Sequence, residues 1–579
     1  MLEFIQLLNQ RYQTVLSQPG NEAGKIGYQQ RIDQLIFTEA FLRKGQLINS
    51  SSEQPLQMTV VGPTQAGKSS LVNVLLNTDV AGVSPLAGYT IHPQGFCLGV
   101  SLADCSGLQR YFGRFQQLQQ ALIPRDRHDC YSLTEAALDS PLLPHGVLWD
   151  TPDFDSIDSA VYREGVIRAM ALADIVILVV SKEKYADQSV WDIMSALEAL
   201  HQPTVICLNK LSEGSEALLI ESLKEKWRLA RKDEFPEVVP LYYQKETGLP
   251  FWPEAKQTLL MQLASKVDHK RQVRFEQDLL QKYWQTWLEP VIAEHHAVKD
   301  WQRLVDVAIK QALENYQRDY LNHPHHYETF QQALAELLTL LEVPGLAGVL
   351  TGARKVLTWP VRQMMKLGRK RLYIADSSQE IILLNQLAEH VLIQLADKLL
   401  DNVEEGNQRL WWKEFSSLLR RQRQGILQDF STAAKNYHLD FQQDVEKTAQ
   451  DLYQKLQEQP LVLNSLRITR VTTDAAAIAL TLHMGGIGVH DLIFAPAMLT
   501  VTSLLAESAI GSYMHKVEHE LKQHQLNTVK QALFVESIGL KLLALPEQLS
   551  RMTHFNISPD QLQAAEQQLT EKRHGLRLL

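Results

Sequence analysis

The spacing of hydrophobic residues divides the chain into three parts, with changes near residues 56 and 268. In the first part, apolar residues recur three and four positions apart, as at Phe4, Leu7 and Leu8, and predict a pair of helices. A proline–glycine pair separates the two helices. Because a helix pair of this length needs a partner surface, we expect residues 1–55 to pack on helices of the C-terminal region.

Short apolar runs alternate with helical segments in the second part, residues 56–268. The predicted strands are Met58–Val61, Phe96–Val100, Val147–Trp149, Ile175–Val180, Thr204–Leu208 and Val238–Tyr242. This alternation predicts an α/β domain with an open, mostly parallel sheet and a ligand site at the carboxyl ends of its strands. Residues 101–144 interrupt the alternation, and we expect them to form a helical insertion beside that site. The insertion carries four arginines, which are Arg110, Arg114, Arg125 and Arg127.

The third part, residues 269–579, contains long polar segments with helical periodicity and predicts a large all-α bundle or stalk. Two apolar segments, 343–361 and 475–510, interrupt it. The first begins with an uncharged stretch, Val343 to Ala353, which leads into a basic run. The members of this run are Arg354, Lys355, Arg362, Lys366, Arg369, Lys370 and Arg371. The second contains two uncharged runs, each about 22 Å long as a helix and so too short to cross a bilayer alone. It is either a hairpin that dips into a membrane or a buried helix pair.

The most specific motif is a phosphate loop of the form GxxxxGKS, from Gly62 to Ser69, which lies between an apolar strand and a predicted helix. Its glycines allow backbone N–H groups to wrap a phosphate chain, and the helix that follows directs its positive end to the same place. We expect Lys68 to reach the β- and γ-phosphates and the Ser69 hydroxyl to bind Mg²⁺. The sequence therefore predicts nucleotide binding.

Later segments supply candidates for the rest of the site. Asp150 ends a predicted strand, where a magnesium partner is expected, and Thr90 lies in a loop long enough to fold over the γ-phosphate. Asn209 and Lys210 close another strand, where a base-binding pair is expected. The candidate catalytic residues are Lys68, Thr90 and Asp150, and the candidate metal ligands are Ser69, Thr90 and Asp150.

In this order, GxxxxGKS, a loop threonine, Asp-x-Pro and Asn-Lys resemble the translation-factor-related class of P-loop GTPases. Residues 56–268 are most similar to its Era-like and dynamin-like branches, and the arrangement of the whole chain resembles bacterial dynamin-like proteins. The resemblance implies GTP or GDP and Mg²⁺ as ligands, K⁺ as a further candidate ion, GTP hydrolysis, and self-association through the GTPase domains. The nucleotide-binding residues that it implies are Gly62, Gln65, Ala66, Gly67, Lys68, Ser69, Ser70, Asp153, Asn209, Lys210 and Ser212.

The chain departs from this family at three positions. Asp153 replaces a glycine whose N–H binds the γ-phosphate, and its carboxylate is expected to turn away from the phosphates to limit repulsion. Phe154 stands where a water-orienting glutamine is common, so an insertion arginine, a K⁺ ion, a backbone carbonyl or a second subunit must supply that function. Ser212 replaces the aspartate that pairs with guanine, and a hydroxyl accepts only a weaker, neutral bond. The preference for guanine over adenine therefore stays open.

Composition narrows the functional classes. A net charge of −9 argues against general nucleic-acid binding, although a local basic patch could still bind phosphates. Four cysteines without a CxxC pair indicate reduced thiols instead of a disulfide or zinc framework. The first residues lack the pattern of a signal peptide, and no uninterrupted apolar span reaches about 20 residues. We therefore expect a cytoplasmic protein, with peripheral association at the inner face of the membrane as one option.

Three functions remain open from the sequence. The first is a dynamin-like mechanochemical GTPase that rearranges a helical stalk at an anionic membrane surface contacted by residues 343–371 and 475–510. The second is an Era-like GTPase that binds ribosomal RNA or ribosomes through the basic run. The third is a cytosolic switch whose helical half recruits a protein partner.

Overall fold

The computed structural model divides into two compact units, which are Met1–Val291 with Met552–Leu579, and Ile292–Arg551. The residues that it describes are 1–18, 25–50, 54–83, 89–124, 126–136, 140–154, 159–198, 202–211, 214, 216–230, 234–243, 250–322, 379–405, 409–457 and 511–576. The apolar segments 343–361 and 475–510 and the basic run that ends at Arg371 lie outside the described residues.

The first unit contains one sheet, to which the described residues contribute nine strands. The strands are β1 (Leu56–Val61), β2 (Gln94–Leu98), β3 (Gln116–Gln117), β4 (Cys130–Glu135), β5 (Gly146–Asp150), β6 (Ile175–Ser181), β7 (Thr204–Leu211), β8 (Glu237–Tyr243) and β9 (Pro250–Phe251). Their spatial order is β3-β4-β2-β5-β1-β6-β7-β8-β9. Of these pairings, β2 with β5 and β8 with β9 are antiparallel, and the others are parallel. The prediction of a mostly parallel α/β sheet is confirmed.

The helices of the described residues fall into both units. They are α1 (Leu2–Ser17), α2 (Lys25–Ser50), α3 (Lys68–Leu76), α4 (Gly107–Phe112), α5 (Ser159–Leu172), α6 (Gln188–Glu198), α7 (Glu216–Ala230), α8 (Leu259–Ala264), α9 (Gln272–Tyr316), α10 (Gln379–Glu405), α11 (Arg409–Gln457), α12 (Gly511–Thr528), α13 (Leu540–Ser550) and α14 (Pro559–Leu576). Short 3₁₀ turns occur at Gln120–Leu122, Glu254–Lys256 and His269–Arg271, and π-helical segments occur at Gln317–Leu321 and Val529–Gly539.

The central strands are buried on both faces, which explains why their sequences are uninterrupted apolar runs. In β6, every residue from Ile175 to Ser181 is buried. One face of the sheet packs on Leu71 of α3, and the other packs on Phe41 of α2 and Val166 of α5. Because β1, β5, β6 and β7 run in the same direction, their carboxyl ends meet at one edge, beside the start of α3.

Helices α1 and α2 form a further core within the first unit. Phe4 and Leu35 belong to a buried cluster that also contains Trp287 of α9 and Ala565 of α14. The Tyr12 hydroxyl donates a hydrogen bond to the carbonyl of Trp287, and α2 also packs along α5. The two N-terminal helices therefore contact helices around the sheet as well as parts of the predicted helical region. The predicted domain boundaries at residues 55/56 and 268/269 stay predictions.

The segment 101–144 is not the helical insertion that we expected. It contains the short helix α4, but also β3 and β4, which extend the sheet at one edge. The run from Cys130 to Glu135 pairs in parallel with β2, and its Tyr131 ring stacks on Phe112 at 4.1 Å. The aromatic and apolar residues of β4 pack well on a pleated sheet surface, and this packing favours a strand over the expected helix.

The second unit is an antiparallel bundle in the residues that the structure describes. It contains α9 from residue 292 onwards, α10, α11, and α12 continued through the π-helical segment into α13. The pairs that fix the helix directions are Tyr316–Glu380 and Gln311–Gln394 for α9 with α10, Glu380–His438 and Glu389–Arg423 for α10 with α11, and Asp444–His524 and Asp429–Lys541 for α11 with the last segment. The predicted all-α region is confirmed here.

The described residues that flank the apolar segments 343–361 and 475–510 lie at the same end of this bundle. The described chain stops at Asn322 and resumes at Gln379, beside the contacts of Glu380. It stops again at Gln457 and resumes at Gly511, and both of these residues lie beyond Glu380 in the same direction. Among the described helices, none combines the length and the apolar composition that a membrane span needs.

Candidate nucleotide-binding site

The loop from Gly62 to Gly67 joins β1 to α3 and lies at the carboxyl edge of the sheet. Gln65 and Gly67 have positive φ angles of 59° and 96°, in the left-handed region that glycine adopts easily. A Cβ atom added to Gly67 would overlap the side-chain amide of Asn209, and one added to Gly62 would overlap the Val179 carbonyl oxygen. Close packing of the loop therefore requires both motif glycines, and the backbone conformation is a second reason for glycine at Gly67.

Lys68 is the first residue of α3, and its side chain is buried. Its ammonium group forms an ion pair with Asp153 and also donates to the Pro63 carbonyl at 3.3 Å. We expected the Asp153 carboxylate to turn away from the phosphates. The structure instead pairs it with the lysine that is the candidate phosphate ligand.

Oxygen atoms from three predicted metal ligands lie together next to Lys68. The Ser69 hydroxyl donates to the Asp150 carboxylate at 2.7 Å and lies 3.4 Å from the Thr90 hydroxyl. The second carboxylate oxygen of Asp150 is buried and has no hydrogen-bond partner among the described residues. Hydroxyl and carboxylate oxygens are the hard ligands that Mg²⁺ prefers, so this oxygen set fits the expected ion.

The electrostatic environment of Asp150 also fits a cation site. The pKa of Asp150 is raised to about 6, mainly by burial. The negative charge of Asp153 contributes to the rise, whereas the Ser69 hydrogen bond and the Lys68 charge limit it. A buried carboxylate of this kind is stabilised in its ionised form when a metal cation lies beside it.

The loop that carries Thr90 is fixed at its start by a residue that we did not single out. The Asn73 side chain donates to Asp79 at 2.8 Å and to the Ala81 carbonyl at 2.9 Å, and it accepts from the Ala81 N–H at 2.7 Å. Further along, the Tyr89 ring packs closely over Gly82. An asparagine inside a helix is unfavourable unless its side chain has such partners, and this is the signal that could have identified Asn73.

The predicted base-binding pair lies on the other side of the phosphate loop. Asn209 donates from its side-chain amide to the Ala66 carbonyl at 2.8 Å, and its side-chain oxygen accepts from the Lys210 N–H at 2.8 Å. Lys210 has a positive φ of 59° and lines the cavity. Ser212 lies outside the described residues.

These residues surround a cavity of about 380 Å³, a size suited to a small ligand. Its described lining is Gln65, Gly67, Lys68, Ser69, Ser70, Gly82, Val83, Tyr89, Thr90, Asp153 and Lys210. Phe154 is buried in the hydrophobic core next to it and supplies no polar group. Of the insertion arginines, Arg114 pairs with Glu164 and Arg127 with Asp129, and Arg125 lies outside the described residues.

Comparison with known proteins bears on residues of this same site. A family model described as 50S ribosome-binding GTPase matches residues 57–210, about a quarter of the chain. Two curated proteins named tRNA modification GTPase MnmE, from Rickettsia canadensis (strain McKiel) and Rickettsia akari (strain Hartford), are each 48% identical over 48 residues. The matched stretch covers 8% of this chain and 10% of each of those proteins.

Solved structures with similarity to the chain include two kinds of protein. One is Era in complex with MgGDPNP and nucleotides 1506–1542 of 16S ribosomal RNA, at 19% identity and a TM-score of 0.23 over 37% of this chain and 57% of that chain. Another is an oligomerised bacterial dynamin pair described as sensing and tethering membranes, at 12% identity and a TM-score of 0.27 over 99% of this chain and 81% of that chain. Both TM-scores are below 0.5, so these similarities add no support of their own. The family match and the geometry of the phosphate loop identify residues 57–210 as a P-loop GTPase domain.

Proposed function

We propose that the first unit binds GTP and GDP with Mg²⁺ and hydrolyses GTP. The observation that carries this proposal is the convergence of Lys68, Ser69, Thr90 and Asp150 at the start of α3. In this reading, Lys68 and the N–H groups of the phosphate loop bind the β- and γ-phosphates. Ser69, Thr90 and Asp150 hold Mg²⁺, which when bound neutralises charge on the phosphate oxygens.

The base-binding residues in this proposal are Asn209 and Lys210, with Ser212 at the position that distinguishes guanine from adenine. Asn209 acts by joining the base side of the site to the phosphate loop through Ala66. Gln65, Ala66, Gly67, Ser70 and the backbone N–H of Asp153 complete the proposed nucleotide contacts. The family match to a GTPase model supports guanine over adenine.

Phe154 cannot orient the attacking water, because its ring is apolar and buried in the core. Another residue or ion must therefore supply that group. We propose that a second copy of the chain completes the site, either by donating a polar group or by ordering the loop around Thr90. Three apolar side chains near the cavity support this, since Val80, Val83 and Tyr89 are 40%, 52% and 50% exposed. Exposed apolar clusters of this kind mark contact surfaces. A K⁺ ion or a backbone carbonyl would be the alternative source.

We further propose that nucleotide turnover is coupled to the second unit at a membrane surface. The support is that the described residues on both sides of the apolar segments 343–361 and 475–510 lie at the same end of the helical bundle. Two apolar segments with a nearby basic run form the combination that partial insertion into an anionic bilayer requires. Under this proposal the protein acts in the cytoplasm, peripherally at the inner face of the membrane.

A second candidate is favoured by the description of the matched family, which names ribosome binding. In that case the basic run would contact RNA phosphates, and binding would weaken steeply as salt rises. Recruitment of a protein partner by the helical unit is a third outcome.

Co-sedimentation with vesicles separates these functions. The full chain is incubated with vesicles of anionic phospholipid, with matched neutral vesicles, and with ribosomal RNA, each with a non-hydrolysable GTP analogue or with GDP. The membrane proposal predicts sedimentation with anionic vesicles that depends on the nucleotide and is lost in Lys68→Ala. Salt-sensitive RNA binding without vesicle binding would favour the second function, and binding to neither would remove both.

A further inference from the structure

Asp153 is held against the lysine of the phosphate loop in a position where it meets the expected phosphates. Its carboxylate pairs with the Lys68 ammonium, and both residues line the same cavity. The side chain of Lys68 is 5% exposed and that of Asp153 is 15% exposed, so water screens this pair only partly.

The backbone around Asp153 is fixed on both sides. Before it, the Thr151 hydroxyl donates to the Val60 carbonyl at 2.7 Å, and after it, Phe154 is buried in the hydrophobic core. Asp153 can therefore leave Lys68 by rotation of its side chain, but its backbone stays beside the cavity. An anion that binds Lys68 therefore competes with this carboxylate for the ammonium group and stays near its negative charge.

We propose that Asp153 is an internal anion that competes with nucleotide phosphate for Lys68 and lowers the affinity of the site most strongly for nucleoside triphosphates. This inference rests on the proposed function, because it assumes that the cavity binds a nucleotide. A diphosphate leaves one side of the ammonium group for Asp153, since an ammonium has three donors. A triphosphate brings its γ-phosphate, with further negative charge, to the place where the carboxylate lies.

The competition has a consequence for regulation. Without nucleotide, the Lys68 ammonium already forms an ion pair with Asp153. The free energy gained when a phosphate binds Lys68 is therefore partly offset by the loss of this ion pair. Only the triphosphate fully displaces Asp153, so the position of this carboxylate differs between the triphosphate and diphosphate states. Asp153 thus acts as a specificity-determining residue and not as a catalytic group.

The test compares dissociation constants of a non-hydrolysable GTP analogue and of GDP for the full chain and for Asp153→Asn, at saturating Mg²⁺. Asp153→Asn keeps the size of the side chain and removes its charge. We expect affinity for the triphosphate analogue to rise by about tenfold and affinity for GDP to rise by less. Asp153→Glu, which keeps the charge, is expected to bind the triphosphate no more tightly than the wild type.

Two controls make the result interpretable. Asp126→Asn removes an exposed carboxylate elsewhere in the same unit and should leave both dissociation constants unchanged. Asp153→Gly removes the carboxylate with the side chain, so a similar gain in both variants excludes an effect specific to the introduced amide. Equal or weaker binding of the triphosphate by Asp153→Asn, while the wild type binds nucleotide normally, would overturn this inference alone. A wild type that binds neither nucleotide would remove the proposed function and this inference together.

Discussion

The Asn209 side-chain amide donates a hydrogen bond to the Ala66 carbonyl and so ties the end of β7 to the phosphate loop. The two residues are far apart in the sequence, and the contact lies where Gly67 leaves no room for a side chain. Asn209, which we expect to support the base, is therefore directly connected to the loop that we expect to bind phosphate. Loss of this bond should affect both stability and nucleotide affinity.

We expect Asn209→Ala to lower the free energy of unfolding by about 1–3 kcal/mol, because the buried Ala66 carbonyl loses its partner. Nucleotide affinity should fall by roughly tenfold, since a small displacement of the loop misplaces several N–H donors at once. Chemical denaturation and nucleotide titration measure the two effects. Gln257→Ala, at an exposed position, is the matched control. An affinity equal to that of the wild type would show that the contact is only structural.

Substitution of Ser69 tests the oxygen cluster with Thr90 and Asp150. Ser69→Ala removes a hydroxyl that lies 2.7 Å from the Asp150 carboxylate. We expect the Mg²⁺ concentration that half-saturates nucleotide binding to rise about tenfold, while binding in the presence of a chelator changes little. Ser265→Ala, whose hydroxyl bonds only locally to the Gln262 carbonyl, is the control. An unchanged Mg²⁺ dependence would exclude Ser69 as a metal ligand.

A buried carboxylate joins the helices of the second unit. Glu380 at the start of α10 accepts hydrogen bonds from Tyr316 at 2.7 Å, Tyr437 at 3.0 Å and Gln525 at 2.9 Å, and its other oxygen lies 2.9 Å from a ring nitrogen of His438. Burial alone would raise the pKa of Glu380, but the contacts with His438, Tyr316 and Gln525 outweigh it, and the pKa falls below its ordinary value of 4.5.

This shift predicts how stability depends on pH. Because the folded pKa is depressed, the ionised carboxylate stabilises the folded state above about pH 4.5, and this contribution is lost as the pH falls through the folded pKa. We expect Glu380→Gln to be less stable than the wild type by about 1–3 kcal/mol at neutral pH and to approach it at acid pH. Denaturation of the full chain at several pH values, followed by circular dichroism, measures this. Glu389→Gln, at an exposed ion pair, is the control, and a constant difference at all pH values would contradict the prediction.

Completion of the site by a second copy predicts that specific GTPase activity rises with protein concentration. Val80 is exposed beside the cavity but does not line it, so Val80→Asp should disturb a contact surface without altering the site. We expect this variant to keep the activity of the dilute wild type and to lose the increase at high concentration. Leu229→Asp, at an apolar residue that is 89% exposed on α7, is the matched control. Specific activity that is flat with concentration in the wild type would count against self-association.

The parallel core of the fold could be predicted because strands that are buried on both faces consist of consecutive apolar residues. Such a run extends from Ile175 to Val180, and β6 ends one residue later at Ser181, so the observed bounds agree with the prediction to within one residue. By contrast, β4 lies at the edge region of the sheet and mixes polar with aromatic residues, so its pattern was not separated from that of a helix. Its neighbour in space, β2, is more than 30 residues away in the sequence, and this pairing decides its structure.

The side-chain contacts of the site could also be predicted only in part from the sequence. A motif with fixed spacing located Lys68 and Ser69, because the chemistry of phosphate binding requires those residue types next to a glycine loop. The ion pair of Lys68 with Asp153 depends on where the residues after β5 lie relative to the phosphate loop, and no local sequence pattern encodes this. The contacts of Glu380 likewise come from several helices, and they exist only once the bundle is packed.

The central claim is that the phosphate loop belongs to an enzyme that hydrolyses GTP. The most direct measurement is the GTP hydrolysis rate of the wild type and of Lys68→Ala in Mg²⁺, with excess ATP as competitor and Lys266→Ala, at an exposed lysine, as control. We predict that the wild type and Lys266→Ala hydrolyse GTP in the presence of ATP, and that Lys68→Ala loses at least about a hundredfold in kcat/KM while remaining folded. Undiminished hydrolysis by Lys68→Ala, or complete suppression by ATP, would contradict it.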